Sequence, residues 1–239
     1  MIKDIIRRIL LIFLQLRKNK CPLATIDAHT IILAPHPDDE IFGCAGLIAR
    51  LVAKGKAPHI VILTGGGASH RECCNVAEPD VISARRDLTL KAAKNLGLTS
   101  ENIHFLNFED SRIGSRPENE VSKLKALIDS IKPEIVMVPH NGEGWSDHLA
   151  ARELGLELAP KTAAVYEYCV WMWYYHQKHL DWPNASKLKM ASAEMSKKQA
   201  AINTYTNACA PCGKPWVGVL PKLFLKANST DTELYFRLR

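Results

Sequence analysis

The chain has 239 residues, 47% hydrophobic and 23% charged, proportions of a globular protein that argue against a disordered or membrane-spanning one. Its net charge of +6 is concentrated at one end: Lys3, Arg7, Arg8, Arg17, Lys18 and Lys20 stand against a single acid, Asp4. The near-neutral remainder argues against a nucleic-acid-binding face, and the odd count of seven cysteines, with Cys73 and Cys74 adjacent, suits a reduced, cytoplasmic compartment better than a disulfide framework.

Residues 2–18 place Ile2, Ile5, Ile6, Ile9, Leu10, Ile12, Phe13 and Leu16 on one broad helical face, with Asp4, Arg8, Gln15 and Lys18 on the other. The uninterrupted apolar piece, residues 9–14, is too short to span a bilayer. Three uses stay open for such a basic amphipathic helix: peripheral contact with an anionic membrane, packing on a partner, or packing on its own domain. With residues 1–25 set apart as this helical segment, residues 26–239 hold no repeat or linker and are expected to form a single domain.

A buried-type strand over residues 29–34 runs into Pro35-His36-Pro37-Asp38-Asp39-Glu40, a turn carrying one imidazole and three carboxylates. A helix over residues 41–51 and a second strand over residues 59–64 complete a βαβ unit. That unit predicts an α/β, Rossmann-like three-layer fold with a mostly parallel sheet, in which sites lie beyond the carboxyl ends of strands. An acidic turn repels phosphate, whereas carboxylates beside a His attract a divalent cation of the zinc type. Gly65-Gly66-Gly67 closes the second strand and would let backbone approach a ligand.

A helix over residues 79–96 follows, with Arg85 and Arg86 early on it; an arginine aimed at the strand ends could hold an anionic part of a substrate. Further elements are a strand at 103–108 ending near Asp110, a helix at 118–131 and a strand at 135–138. The loop from Pro139 to Asp147 is the second polar concentration, and His148, opening a helix to about residue 158, is the natural third metal ligand. Residues 165–175 are rich in Tyr and Trp and are expected to be partly strand, with some rings lining a cleft. His176 and His179 have no acidic company, and Cys209-x-x-Cys212 reads as a loop. A helix over residues 191–206 and a strand over residues 234–238 end the chain.

The turn His36-Pro37-Asp38-Asp39-Glu40, Thr64-Gly65, Arg85-Arg86 with Leu96-Gly97, Asp110 and Asp147-His148 together resemble the LmbE-like (PIG-L) zinc N-deacetylases over roughly residues 30–205. The resemblance implies one Zn2+ held by His36, Asp39 and His148, with Asp38 as general base. It implies an N-acetylated amino-sugar conjugate of the N-acetylglucosamine type as substrate. Members commonly carry a His three residues before the last ligand and an aromatic hydroxyl before that; here those positions are Trp145 and Glu143. Glu143 or His140 is therefore expected as general acid, and Arg85, Asp110 and Trp145 as substrate contacts. The alternatives are another metallohydrolase, such as a phosphoesterase, and a non-catalytic sugar-binding relative.

Overall fold

The computed structural model describes residues 2–71, 75–175, 180–216 and 220–239. Cys73, Cys74, His176 and His179 lie outside the described residues, as does the side chain of His70.

Seven strands form one sheet in the order β3-β2-β1-β4-β5-β7-β6. β1 (Thr30–Ala34) pairs in parallel with β2 (His59–Thr64) on one side and β4 (Ile135–Pro139) on the other. β3 (Ile103–Phe108) and β5 (Ala164–Tyr168) extend the parallel part, while β7 (Thr232–Arg237) and β6 (Ala185–Lys189) add an antiparallel edge. The chain is thus an α/β protein with a mostly parallel sheet.

Helices cover both faces, so the inner strands are apolar at every position rather than at alternate ones. Ile31, Leu33, Val61, Leu63, Val136 and Val138 pack with Leu124 and Ile128 of α4 (Glu118–Ile131) and Ala151 and Leu154 of α5 (Ser146–Leu158). Their neighbours Ile32, Ala34, Ile60, Ile62 and Met137 pack against α2 (Asp39–Ala53), α3 (Glu78–Leu96) and α7 (Ser192–Thr206).

Three features depart from the sequence reading. β6 and α8 (Lys222–Asn228) were not signalled, because β6 is a short, lysine-bearing edge strand and α8 spans under two turns. After β5 the aromatic stretch turns into a short helix, α6 (Met172–Tyr175). α1 (Ile2–Asn19) does pack on the protein, but with a mixed stripe rather than its apolar face. Leu11 is 6% exposed and Lys18 1%, and the Lys18 ammonium donates to Thr230 Oγ1 (3.1 Å) and to the Thr232 carbonyl (3.0 Å). Burial pushes the Lys18 pKa down to about 8.

α2 lies close to the sheet because two of its positions have no side chain. A Cβ on Gly43 would sit 2.3 Å from Cδ2 of Tyr168, whose hydroxyl donates to the Leu33 carbonyl at 2.7 Å. Gly43→Ala is therefore expected to cost about 1–3 kcal/mol by overpacking and to lower the thermal midpoint by several degrees in a calorimetric scan. An unchanged midpoint would mean that α2 can move off the sheet without loss.

Candidate metal centre

β1 lies between β2 and β4, where the direction of strand addition reverses, and in doubly wound sheets that switch point opens a crevice at the strand ends. The turn after β1 and the loop after β4 meet there. Asp38 caps α2 with φ 115°, an uncommon conformation for a residue with a side chain. Several bonds hold it in place: its N–H donates to Glu40 Oε2 (3.0 Å), its carbonyl accepts the Ile41 and Phe42 N–H groups (both 3.0 Å), and Arg85 Nη2 donates to its Oδ2 (3.2 Å).

His36, Asp39 and His148 converge. His36 Nδ1 and His148 Nε2 each lie 3.3 Å from Asp39 Oδ2. With ligand bonds of about 2.0–2.1 Å, the edge of a tetrahedral zinc site is about 3.3 Å, so the spacing and the N2O donor set both fit such an ion. The outer nitrogens are supported by carboxylates, an arrangement that fixes the tautomer of metal-binding histidines. His36 Nε2 is 3.2 Å from Asp147 Oδ2 and 3.3 Å from Asp110 Oδ1, while the buried His148 Nδ1, with no aligned hydrogen bond, is 3.2 Å from Glu143 Oε2.

His36, Asp110 and Asp147 form a second possible donor group. Its carboxylates are already engaged by backbone: Asp147 accepts the Ser111 (2.7 Å) and Ile113 (3.1 Å) N–H groups, and Asp110 accepts that of Ala68 (2.8 Å). In the first group Asp39 likewise accepts one backbone N–H, that of His36 (2.9 Å); what sets this group apart is its two imidazole nitrogens beside a carboxylate, a donor set suited to zinc.

Electrostatics separate the carboxylates. Burial works against a charge on Asp39, but His148 and His36 hold its carboxyl below the usual range. Burial pushes Asp38 up to about 7, with Arg85 opposing and Asp39 adding to the rise. Burial and the neighbouring Asp38 raise Glu40 to about 8.

The remaining expected residues lie around this centre in positions the sequence did not foretell. The Glu143 carboxylate is fully buried and accepts the backbone N–H groups of Val170 (2.8 Å), Trp171 (2.6 Å) and Met172 (3.3 Å). His140 is turned away: Nδ1 accepts the Gly142 N–H (2.9 Å), Nε2 faces Glu167 Oε2 at 3.7 Å, and the ring packs on Phe236. Burial lowers its pKa to about 4. Arg85, expected as a substrate contact, is buried and holds the Gly66, Pro37 and Asp38 oxygens of its own chain. Gly66 (φ 67°) leaves room for that guanidinium, since a Cβ there would meet it at 2.2 Å, while Gly65 and Gly67 line the cleft beside the centre.

Arg86 is the exposed member of the arginine pair and lies over the Phe105 ring at 4.3 Å. With Pro37, Ile82, Asn107 and Asp110 it lines a cleft of about 200 Å³ beside the centre. Trp145 is half exposed and meets Trp171 and Tyr175 edge to face, at 5.7 and 6.3 Å. Asp147 was legible in the sequence as the neighbour of a ligand, but its hold on His36 was not.

A known family, PIG-L: GlcNAc-PI de-N-acetylase, matches residues 31–159. The uncharacterized deacetylase YaiS of Escherichia coli is 29% identical over 131 residues, covering 53% of this chain and 65% of its own length. The probable N-acetyl-alpha-D-glucosaminyl L-malate deacetylase 2 of Bacillus subtilis is 29% identical over 140 residues, covering 52% and 58%. The chain thus spans roughly three fifths of the length of these relatives. The conserved protein TT1542 from Thermus thermophilus superposes with a TM-score of 0.65 at 22% identity, covering 89% of this chain and 95% of its own, which shows the shared fold. Since the matched stretch takes in more than half of the chain, together with the His36 turn, the Arg85 helix and His148, this protein belongs to the PIG-L family.

Proposed function

We propose that the chain is a metal-dependent N-deacetylase that removes the acetyl group from an N-acetylglucosamine-type sugar conjugate. The observation that carries this reading is the tripod of His36 Nδ1, Asp39 Oδ2 and His148 Nε2 with Asp38 beside it. Family membership and the deacetylase relatives support the substrate class. A zinc ion held there would supply a Lewis acid for the amide carbonyl and a lowered pKa for water.

The chain's own groups divide the remaining work. Asp38 is the general base: its pKa of about 7 leaves a large share ionised at neutral pH, able to take a proton from the attacking water. The same carboxyl then holds the proton that the departing sugar nitrogen needs, so that acetate and a free amine leave. Glu143 and His140 do not take the expected general-acid role in this reading. Glu143 is bound to three backbone amides and orients His148, and neutral His140 faces Glu167. Asp110 and Asp147 orient His36, and Arg85 positions Asp38. Arg86 and Phe105 line the cleft in which the sugar conjugate would lie, and half-exposed Trp145 immediately precedes the helix that carries His148.

Asp38→Asn is expected to keep about one metal per chain and lose at least 10²-fold to 10⁴-fold in acetate release from N-acetylglucosamine conjugates. Asp39→Ala is expected to lose the metal itself, read by elemental analysis after desalting; stoichiometric zinc in that variant would overturn the ligand set. Glu143→Gln should weaken metal affinity roughly 10-fold to 100-fold, whereas His140→Asn should leave turnover near that of the parent.

The pH profile tests Arg85. Its guanidinium favours the charged form of Asp38, so Arg85→Gln raises the Asp38 pKa. The acid limb of kcat/KM then moves to higher pH, by about one unit or more. A limb that stays in place would remove Arg85 from control of the base.

A further inference from the structure

The half of α1 turned away from the protein is apolar. Ile5, Ile6, Ile9, Ile12, Phe13 and Leu16 are all exposed, Phe13 at 64%, although the same helix is fixed on the body. The fixing contacts come from its other side: Leu11 in the core, Lys18 on Thr230 and Thr232, Arg7 donating to the Tyr174 hydroxyl at 2.8 Å, and the Arg17 guanidinium over the Trp182 ring at 5.3 Å. A helix held only for its own stability would turn its isoleucines inward; this one presents them.

A groove between α1 and α8 continues that face. Leu11, Ile12, Leu16 and Leu223 form its apolar lining, Arg8, Lys222 and Lys226 add positive charge, and no acidic residue among the described ones lines it. The apolar ridge and its cations thus complement a surface that is apolar inside and negative at its rim. Among the described residues no helix is long and apolar enough to cross a membrane, so the helix would lie in the surface plane. The family match begins at residue 31, beyond α1.

We propose that α1, with the groove it forms against α8, is a docking surface for an anionic lipid bilayer. The side chains of Ile9, Ile12, Phe13 and Leu16 enter the headgroup boundary while Arg8, Lys222 and Lys226 meet the lipid phosphates. Arg7 lies 4.0 Å from the Tyr174 ring centroid, and Tyr174, Tyr175 and Trp145 form a continuous aromatic wall toward the loop that carries Glu143. Half-exposed Trp and Tyr rings of this kind suit the membrane interface.

The test is co-sedimentation of the full chain with vesicles of phosphatidylcholine alone and of phosphatidylcholine with phosphatidylglycerol, so binding is read without reference to any reaction. Binding is expected to the anionic vesicles, to weaken as salt is raised, and to be slight on the neutral ones. The double variant Ile9→Asn/Phe13→Asn should bind on the order of 10²-fold more weakly. The triple variant Arg8→Gln/Lys222→Gln/Lys226→Gln should lose a similar factor on anionic vesicles only. All these positions carry solvent-facing side chains or line the open groove, so thermal midpoints should match the parent and exclude misfolding as the cause. Equal binding by the Ile9/Phe13 variant, or no binding of the parent to anionic vesicles, would overturn the proposal. So would parent self-association in sedimentation velocity, abolished in that variant and unaccompanied by vesicle binding, since a second copy would then be the occupant.

Discussion

Six carboxylates crowd one end of the sheet: Asp38, Asp39, Glu40, Asp110, Glu143 and Asp147 surround two imidazoles and one guanidinium. Buried like charges are costly, and the structure offsets them in three ways. Arg85 and the histidines supply positive charge, the first turn of α2 offers its dipole to Asp39 and Glu40, and backbone N–H groups bind the carboxylate oxygens. That last device makes the site and its loops a single network. Asp39 accepts the His36 N–H at 2.9 Å, Asp147 ties down residues 111 and 113, and Glu143 ties down residues 170–172. A divalent cation at the tripod would complete the balance, so metal affinity and loop order should be linked.

The scaffold holds this network on regular elements. His36 and Asp38 follow a strand buried on both faces, Asp39 opens α2 and His148 sits in the first turn of α5. α2 itself lies close against Tyr168 through Gly43 and against Met190 through Gly46. Glu233 fastens it from β7, accepting the Gly46 (2.8 Å) and Leu47 (3.0 Å) N–H groups while paired with buried Lys198 (2.8 Å). The antiparallel edge, which carries none of the six carboxylates, thereby helps to set the position of the helix that supplies Asp39.

α1 obeys different rules from the rest of the chain. The other helices pack their apolar faces on the sheet. Here the inward stripe mixes Leu11 with Lys18, and the outward face is isoleucine and phenylalanine. Local inconsistency of this kind is where natural sequences tend to place binding surfaces.

Residue order alone was enough to specify the parallel core, because strands buried on both faces read as unbroken apolar runs, and to single out the acidic turn at His36 and the helix that begins near His148; the choice of Asp39 among the three carboxylates of that turn came from the family resemblance. β6 was illegible: its residues Ala185-Ser186-Lys187-Leu188-Lys189 carry no strand signal and pair only because β7 offers an edge. Which way α1 faces was likewise settled in three dimensions, by Thr230, Thr232 and Tyr174 capturing its cations from more than 160 residues away. The roles around the metal centre followed the same rule. Arg85, Asp110, Glu143 and Asp147 are ordinary charged residues in sequence, and whether each faces a ligand, a backbone amide or an imidazole depends on loops brought together from separate strands. Spacing along the chain reports local geometry within a turn or a helix; it carries no information on the partner of a charge that lies far away in the chain.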